Sequence, residues 1–290
     1  MLHGRRVLLA LLLCGLLCTL LVPFTLVLRS PTACSSGDED DDDYERGSAG
    51  DHRLAVIIPF RDRFDELLRL APHLHRFLRN QGIRHRLVVV NQIDTLRFNR
   101  GSLINAGFLE SEADCDYVAM HDVDLLPLNP QLSYAFPPNG GPHHLAAPGL
   151  HPRYHYPTFV GGILLLSTAR FRQLNGISNR YWGWGLEDDE FYARIREAGL
   201  NVTRPVGITT GKKDTFRHLH DRRRRPRDTA RTAQQRRENR RRDRRTGLGD
   251  IRYQVKARHK LKIDGAPVDV LDVRLLCNRT DTPWCELPVN

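Results

Sequence analysis

The sequence lacks the glycine-rich loops with which many enzymes bind phosphate. Neither a GxGxxG pattern nor a GxxxxGKS pattern occurs in its 290 residues. Such loops hold phosphate groups on backbone N–H groups at the start of a helix, so their absence argues against a P-loop enzyme. Any nucleotide that this chain binds must be held by side chains and a metal ion.

Cysteine is scarce, and its spacing does not fit a zinc site. The six cysteines form no CxxC pair and no Cys/His pattern of the zinc type. Cys277 and Cys285 flank Pro283-Trp284 near the C-terminus, and we predict that they form a disulfide in an oxidising compartment. The sequons at Asn201 and Asn278 predict N-glycosylation in the same environment.

The excess of positive over negative charge comes from one stretch. The net charge is +10, and residues 222–245, here called the arginine tract, contain 13 arginines against three acids. Such a tract suits a polyanion: nucleic acid, a sulfated glycan or an acidic protein segment. A solvated charged helix without a specific partner is the alternative. Behind a membrane anchor, nucleic acid is the poorest of these partners, and we expect none.

The N-terminus has the pattern of a membrane anchor. Arg5 and Arg6 precede an uncharged apolar run from Val7 to Leu28, which is long enough to span a bilayer. An acidic run, Asp38 to Asp43, follows on the far side, so the positive-inside bias predicts a single-pass type II protein with a luminal body. A cleaved signal peptide is the alternative.

The chain therefore divides into four predicted segments. Residues 1–6 form a cytoplasmic tail, 7–28 the transmembrane signal-anchor, 29–52 a stem and 53–290 a luminal catalytic domain. The stem contains Pro, Ser, Gly and acids with hardly any large apolar side chain, so it cannot form a core of its own.

Four apolar runs predict the buried strands of an α/β domain. They begin at Leu54, Leu87, Tyr117 and Gly162, and helical patterns at Phe64–Asn80 and Leu103–Ser111 separate the first three. Strands that are apolar along their whole length are typical of a parallel sheet covered on both faces. Ligands gather beyond the carboxyl ends of such strands, so we expect the site there.

A segment rich in tryptophan, glycine and acids is the most informative motif. Trp182-Gly183-Trp184-Gly185 runs directly into Leu186-Glu187-Asp188-Asp189-Glu190. Indole faces suit the C–H faces of a sugar, and a neighbouring carboxylate can take a proton from a sugar hydroxyl. The alternative is structural: tryptophan in the core, and the acids in the first turn of a helix.

Two further motifs predict a metal site. Asp122-Val123-Asp124 follows the third strand, and strand-like alternation would put both carboxylates on one side, able to meet a divalent cation. His218 and His220 stand at i and i+2, and both would face one way if the segment is extended. Oxygen and imidazole ligands suit Mn²⁺ better than metals that select thiolates.

Together these motifs resemble a known family. Phe60-Arg61-Asp62-Arg63, Phe98-Asn99-Arg100, the Asp122-Val123-Asp124 step and the Trp182–Asp189 string occur in the same order as in β-1,4-galactosyltransferases. Within that family, the residues around Asp122, Tyr154 and His218 look like the branch that uses xylose on proteoglycan core proteins. The presence of Thr215 and the added His220 support this branch.

The resemblance implies a GT-A type glycosyltransferase fold with a mostly parallel central sheet, preceded by the transmembrane helix and stem. It also implies UDP-galactose as donor, Mn²⁺ as cofactor, a xylosylated proteoglycan core protein as acceptor and a location in the Golgi membrane. Asp188 becomes the catalytic base, and Asp124, His218 and His220 become metal ligands.

Two binding sets follow from the resemblance. Those assigned to the donor are Pro59, Phe60, Arg61, Asp62, Arg63, Phe98, Asn99, Arg100, Val123, Asp124, Tyr154, Trp184, His218, Leu219, His220 and Arg227. Those assigned to the acceptor are Tyr156, Trp184, Gly185, Leu186, Glu187, Asp188 and Asp189. We expect Arg227 to reach the diphosphate when a loop closes and Trp184 to swing in with it.

Other functions remain open at this point. The acceptor could be N-acetylglucosamine or glucose in place of xylose. A glycan-binding protein of the same fold that has lost catalysis would keep the aromatic surface and need no metal. A metal-dependent hydrolase would release galactose without an acceptor.

Overall fold

The computed structural model describes residues 52–238 and 243–287. The predicted tail (1–6), the predicted membrane segment (7–28) and all but the last residue of the predicted stem (29–52) lie outside these ranges. Within them, no helix is long and apolar enough to cross a bilayer.

Nine strands and six helices make up the described part. The strands are β1 (Arg53–Phe60), β2 (Arg84–Gln92), β3 (Tyr117–His121), β4 (Leu125–Pro127), β5 (His143–His144), β6 (Ile163–Ser167), β7 (Phe216–His218), β8 (Tyr253–Ile263) and β9 (Ala266–Leu275). The helices are α1 (Phe64–Asn80), α2 (Arg100–Leu109), α3 (Thr168–Gln173), α4 (Glu187–Glu197), α5 (Lys212–Thr215) and α6 (Thr232–Glu238). Short 3₁₀ turns lie at Pro138–Gly140 and Pro283–Cys285.

Seven strands form one mixed sheet in the order β5-β6-β3-β1-β2-β9-β8. The four runs predicted to be strands are β1, β2, β3 and β6. Pairing is parallel for β1 with β2, β1 with β3 and β2 with β9, whereas β3–β6, β5–β6 and β8–β9 are antiparallel. The predicted mostly parallel sheet is therefore right only for the centre. Apolar runs reveal that a strand is buried but not its direction.

The sheet is covered on both faces, as the apolar strands predicted. Alternate residues of β1 enter two separate clusters: Leu54, Val56 and Ile58 pack with α1, and Ala55 and Ile57 pack with α2 and α4. Each of these five side chains is fully buried, which is why neither position in the alternation is polar.

Local sequence explains the two helices that flank the strand ends. In α1, apolar residues recur every three or four positions, and Leu67, Leu70, Leu74 and Leu78 form its buried face. In α2, the Asn99 side chain accepts a hydrogen bond from Ser102 N at 2.8 Å and so caps the first turn. The cap makes this helix begin at Arg100, three residues earlier than predicted.

The hairpin β8–β9 was not predicted. Asp264 and Gly265 both have positive φ, 46° and 83°, in the two-residue turn between the strands. An Asp-Gly pair favours such a turn, and this signal could have revealed the hairpin. Strand β8 lies at the sheet edge with mostly exposed polar residues, so it lacks the apolar run used to find the other strands.

Candidate active site

The candidate site lies beyond the carboxyl ends of β1, β2 and β3. Phe60, Gln92 and His121 end these parallel strands, and the motif residues follow them directly. The predicted location at this edge of the sheet therefore agrees with the topology.

A small second sheet brings Asp124 to the two histidines. Strand β4 pairs with β7 so that Leu125 lies opposite His218, and Leu219 N donates to Asp124 O at 2.7 Å. The Asp124 Oδ2 atom lies 3.9 Å from His218 Nε2 and 3.7 Å from His220 Nδ1. Residues almost a hundred positions apart are thus brought together at this point.

Asp122 and Asp124 lie in a turn and not in the extended backbone that the prediction assumed, since Leu125 N donates to Asp122 O. The Asp122 carboxylate still lies close enough to raise the pKa of Asp124. Asp122 itself accepts from Arg100 Nε at 2.7 Å.

The chemistry of Asp124, His218 and His220 fits a divalent cation. His220 Nε2 is buried without a hydrogen-bond partner. Burial lowers the pKa of His218 to about 3, so its imidazole is neutral, as a metal ligand must be. Burial, with the nearby Asp122, raises the pKa of Asp124 to about 7, and a cation would reverse this shift. Even so, no three His, Cys, Asp or Glu side chains in the described ranges form a ready-made metal cluster.

Arg100 connects the strand ends to the acidic motif. Its Nη1 donates to Asp188 Oδ1 at 3.0 Å and lies 3.9 Å from Glu187 Oε1, while its Nε holds Asp122. Burial raises the pKa of Asp188 to about 6, and Arg100 opposes this rise. Burial and the adjacent Asp188 raise the pKa of Glu187 to about 8. At neutral pH Asp188 is therefore the carboxylate of the two that is available as a base.

The four consecutive acids form the first turn of α4, as the structural alternative proposed. They tolerate one another because they turn to different partners. Glu187 and Asp188 face Arg100, Asp189 accepts a hydrogen bond from Tyr156, and Glu190 accepts from Arg194 Nε at 2.9 Å. Only Glu190 has a purely structural role, since Arg194 also donates to backbone carbonyls of surrounding loops.

Gly161 gives the Asp188 carboxylate the space that it occupies. A β-carbon at this position would overlap Asp188 Oδ2 and would lie 2.7 Å from the Phe159 ring. The position of the candidate base thus depends on a glycine just before β6, which the sequence alone did not single out.

The two motif tryptophans have different environments. Trp182 is 3% exposed and packs in the core, where its backbone N–H donates to Gln235 Oε1 and its backbone carbonyl accepts from Gln235 Nε2. Trp184 is 42% exposed and faces the site. The Arg227 guanidinium lies 4.4 Å from the Trp184 ring centroid and 5.6 Å from that of Tyr154. Arg227 and these two aromatic rings therefore form one wall, beside the bend made by Gly185 and Leu186.

Several predicted donor residues also have structural contacts. Arg61 donates to the carbonyls of Gln92, Asp94 and Leu96, so it braces the loop after β2. Asn99 is buried as the cap of α2. Pro59, Phe60, Asp62, Arg63, Phe98 and Val123 all lie at the ends of β1, β2 and β3 or in the loops after them.

Sequence reasoning missed two residues at this edge. Glu66, in the first turn of α1, is buried with Oε2 unpaired, 3.7 Å from Arg225 through its other oxygen. Arg97 is buried and donates to Asp228, which lies in the arginine tract. A buried Glu or Arg is a signal only once burial is known, so neither residue could be found from the sequence.

The disulfide, the sequons and most of the arginine tract lie outside the site. Cys277 and Cys285 form a disulfide, and both sequon asparagines, Asn201 and Asn278, are exposed. The described arginines of the tract are mostly exposed, with Arg224 and Arg225 contacting Asp65 on α1.

Comparison with protein families finds two matching models. One, described as the N-terminal region of glycosyl transferase group 7, matches residues 45–137. The other, described as the N-terminal domain of galactosyltransferase, matches residues 141–219. Together they include Asp124, Asp188 and His218.

Individual proteins match more of the chain. Beta-1,4-galactosyltransferase 7 of Homo sapiens is 56% identical over 255 residues, which are 88% of this chain and 77% of that protein. Xylosylprotein 4-beta-galactosyltransferase of Caenorhabditis elegans is 46% identical over 239 residues, 81% of this chain and 82% of that protein.

A solved structure matches the fold as well as the sequence. It is a mutant of the Drosophila beta-1,4-galactosyltransferase 7 in complex with manganese, UDP-Gal and xylobiose. It aligns with a TM-score of 0.78 and 51% identity over 82% of this chain and 100% of that one. The resemblance predicted from the sequence is confirmed, and the chain belongs to the β-1,4-galactosyltransferase family, with its GT-A type α/β fold.

Proposed function

We propose that the protein is an inverting xylosylprotein 4-β-galactosyltransferase. It transfers galactose from UDP-galactose to the 4-hydroxyl of xylose on proteoglycan core proteins. The relatives support this reaction, because one is named for it and another binds UDP-Gal and xylobiose. By the anchor pattern at residues 7–28, it acts as a type II protein with its catalytic domain in the Golgi lumen.

One observation carries the proposal. Arg100 holds the candidate base Asp188 at 3.0 Å and Asp122 at 2.7 Å, and Asp122 stands two residues before Asp124. A single guanidinium therefore couples the place where an acceptor hydroxyl loses its proton to the place where the donor diphosphate binds.

Asp188 accepts the proton from the xylose 4-hydroxyl as that oxygen attacks C1 of galactose, and UDP leaves from the opposite face. A single carboxylate suffices, whereas glycoside hydrolysis uses two, because the diphosphate needs no proton to depart. Trp184 and Tyr156 lie beside the acidic turn, where aromatic rings can cover the sugar and exclude water.

Asp124, His218 and His220 are the residues that would hold Mn²⁺. When bound, the ion supplies charge neutralisation for the departing diphosphate. The chain itself contributes Arg227 beside Trp184, a second cation on the same side of the site.

An acceptor panel tests the function. The purified full-length protein receives UDP-galactose with a β-xyloside, an N-acetylglucosaminide, a glucoside or no acceptor, each with Mn²⁺ or with a chelator. We expect UDP release only when the xyloside and Mn²⁺ are both present. NMR of the product should show a β-1,4 bond.

Each other outcome points to a different function. Faster transfer to N-acetylglucosaminide would change the acceptor but keep the reaction. Free galactose in the absence of acceptor would indicate a hydrolase. Binding of xylosides without turnover, unaffected by chelation, would indicate a glycan-binding protein and contradict the proposal.

A further inference from the structure

The Arg97 guanidinium lies where three chain segments meet, and it is 2% exposed. Its Nε and Nη2 donate to the two carboxylate oxygens of Asp228 at 2.7 and 2.9 Å. It also donates to the Ala230 carbonyl at 2.5 Å and to the Trp284 carbonyl at 2.9 Å. One buried side chain thus fixes part of the arginine tract and the C-terminal 3₁₀ turn together.

The third segment is the tryptophan loop. Gly183 N donates to Phe98 O at 2.7 Å, and Trp184 N donates to Asp228 O at 2.8 Å. A β-carbon on Gly183 would overlap Arg97 Nη2, so only glycine permits this approach. Asp228 therefore binds both residues: its backbone carbonyl accepts from Trp184 N, and its carboxylate accepts from Arg97.

Because Arg227 is adjacent to Asp228 in the sequence, the contacts that hold Asp228 also restrict the position of Arg227. Its guanidinium is stacked on the Trp184 ring, with Tyr154 on the same side. A cation over an indole face gains about 0.5–1 kcal/mol at exposed sites, too little to hold a long loop in place by itself. The bidentate pair beneath it is the stronger constraint.

We propose that Arg97 is a positioning residue for galactosyl transfer. Through Asp228 it holds Arg227 and Trp184 in the one arrangement in which Arg227 meets the donor diphosphate. This inference rests on the proposed function, since it assigns the network to binding of UDP-galactose. If the Arg97–Asp228 pair served stability alone, its loss would lower the unfolding temperature without a specific change in the KM for UDP-galactose.

Asp228→Asn tests the inference, because it keeps the size of the side chain and removes its charge. We expect the KM for UDP-galactose to rise roughly tenfold, with kcat changed by less than about threefold. Arg227→Ala should raise the same KM. In the double variant the effect of Asp228→Asn should disappear, since it acts through Arg227.

Asp243→Asn is the matched control. Asp243 is a buried carboxylate 3.9 Å from Arg194 Nη2 and accepts from Ser178, and neither partner is in the donor or acceptor set. Its loss should lower the unfolding temperature and leave the donor KM unchanged. Should Asp228→Asn fail to fold, Arg97→Lys replaces it in the same cycle.

Additive effects of Asp228→Asn and Arg227→Ala would overturn the inference, as would an unchanged donor KM or an equal change in Asp243→Asn. Calorimetric titration with UDP repeats the cycle without turnover. If the wild-type protein fails to use the xyloside but the UDP titrations are non-additive, the proposed acceptor fails and the positioning role stands.

Discussion

Arg97 and Arg100 stand three residues apart, yet they organise two unlike halves of the site. The Arg100 guanidinium contacts the carboxylates of Asp122, Glu187 and Asp188, which lie at the end of a strand and in the first turn of a helix. Arg97 contacts one carboxylate and two backbone carbonyls, Asp228, Ala230 and Trp284, all in loops or turns.

The difference separates a catalytic half from a binding half. Groups on helices and strands are held more precisely than groups on loops, and a base must be held precisely. A loop can be held by one strong ion pair and still move when that ion pair breaks. We therefore expect changes around Arg100 to alter turnover and its pH dependence, and changes around Arg97 to alter donor affinity.

The largest effect is expected from Asp188→Asn. Removing the base should lower kcat by roughly 10²–10⁴-fold, while the affinity for UDP-galactose changes little, since Asp188 is held by Arg100 and is assigned to the acceptor. Steady-state kinetics with the xyloside measure both quantities. The comparator is Asp189→Asn, which removes the charge from the group that accepts a hydrogen bond from Tyr156 and should act on the acceptor KM instead. Near-normal turnover in Asp188→Asn would remove this residue from its role.

Gly161→Ala should disturb the same half by sterics alone. The added methyl would overlap the Asp188 carboxylate, and displacement of a catalytic group by an ångström can cost roughly 10²-fold in rate. Gly149→Ala is the control, because its β-carbon meets nothing within 4 Å. Equal kcat values in the two variants would show that the carboxylate tolerates the shift.

Arg100→Gln should move the pH profile of kcat. Burial raises the pKa of Asp188 to about 6 and Arg100 lowers it, so loss of the guanidinium raises this pKa further. The base works only when deprotonated, and activity is lost as pH falls through that pKa. The acid limb should therefore shift to higher pH by about one pH unit or more. Asp228→Asn, in the other half, should leave the limb where it is. If the acid limb of the kcat profile does not shift in Arg100→Gln, Asp188 is not the group whose titration the profile reports.

These residues also show what the sequence could reveal. The apolar runs of β1, β2, β3 and β6 and the periodicity of α1 are local signals, and each element was found. The edge at which the site lies followed from the order of strands and helices. Asp124 and the two histidines were found from motif resemblance, and in the structure an Asp124 oxygen lies within 4 Å of a ring nitrogen of each histidine.

What could not be predicted depends on pairing at long range. Arg97 and Asp228 are separated by 131 positions, and neither lies in a motif that would suggest the other. The turn at Asp122–Asp124, in which Leu125 N donates to Asp122 O, replaces the extended backbone predicted there. Strand β8 escaped because an edge strand needs no apolar run, and its lysines are typical of such edges.

The disulfide tests the binding half. Cys277 and Cys285 are eight positions apart, and Cys285 O accepts from Arg97 N at 2.8 Å. Closing so short a loop stabilises the fold by about 2.5 kcal/mol in the chain-entropy model. Cys285→Ser should lower the unfolding free energy by about this amount and raise the donor KM slightly, with an unchanged acid limb of kcat. Reduction of the wild-type protein should reproduce the loss and add nothing in the variant. A shifted acid limb would contradict the division into halves.

The smallest effect is expected at the joint between the halves. Gly185 has φ 97° and joins Trp184, which contacts the tract, to Leu186, the residue immediately before α4. A β-carbon there would meet nothing within 4 Å, so Gly185→Ala has only a backbone cost, about 1–2 kcal/mol for a left-handed residue. Denaturant titration should show that loss, whereas Gly149→Ala should show none. Because the strained bond lies between the two halves, kcat and donor KM should both change, each by less than in the variants above. If only kcat or only the donor KM changes, Gly185 belongs to the catalytic half or to the binding half, respectively. The boundary between the two halves then lies one residue away from Gly185.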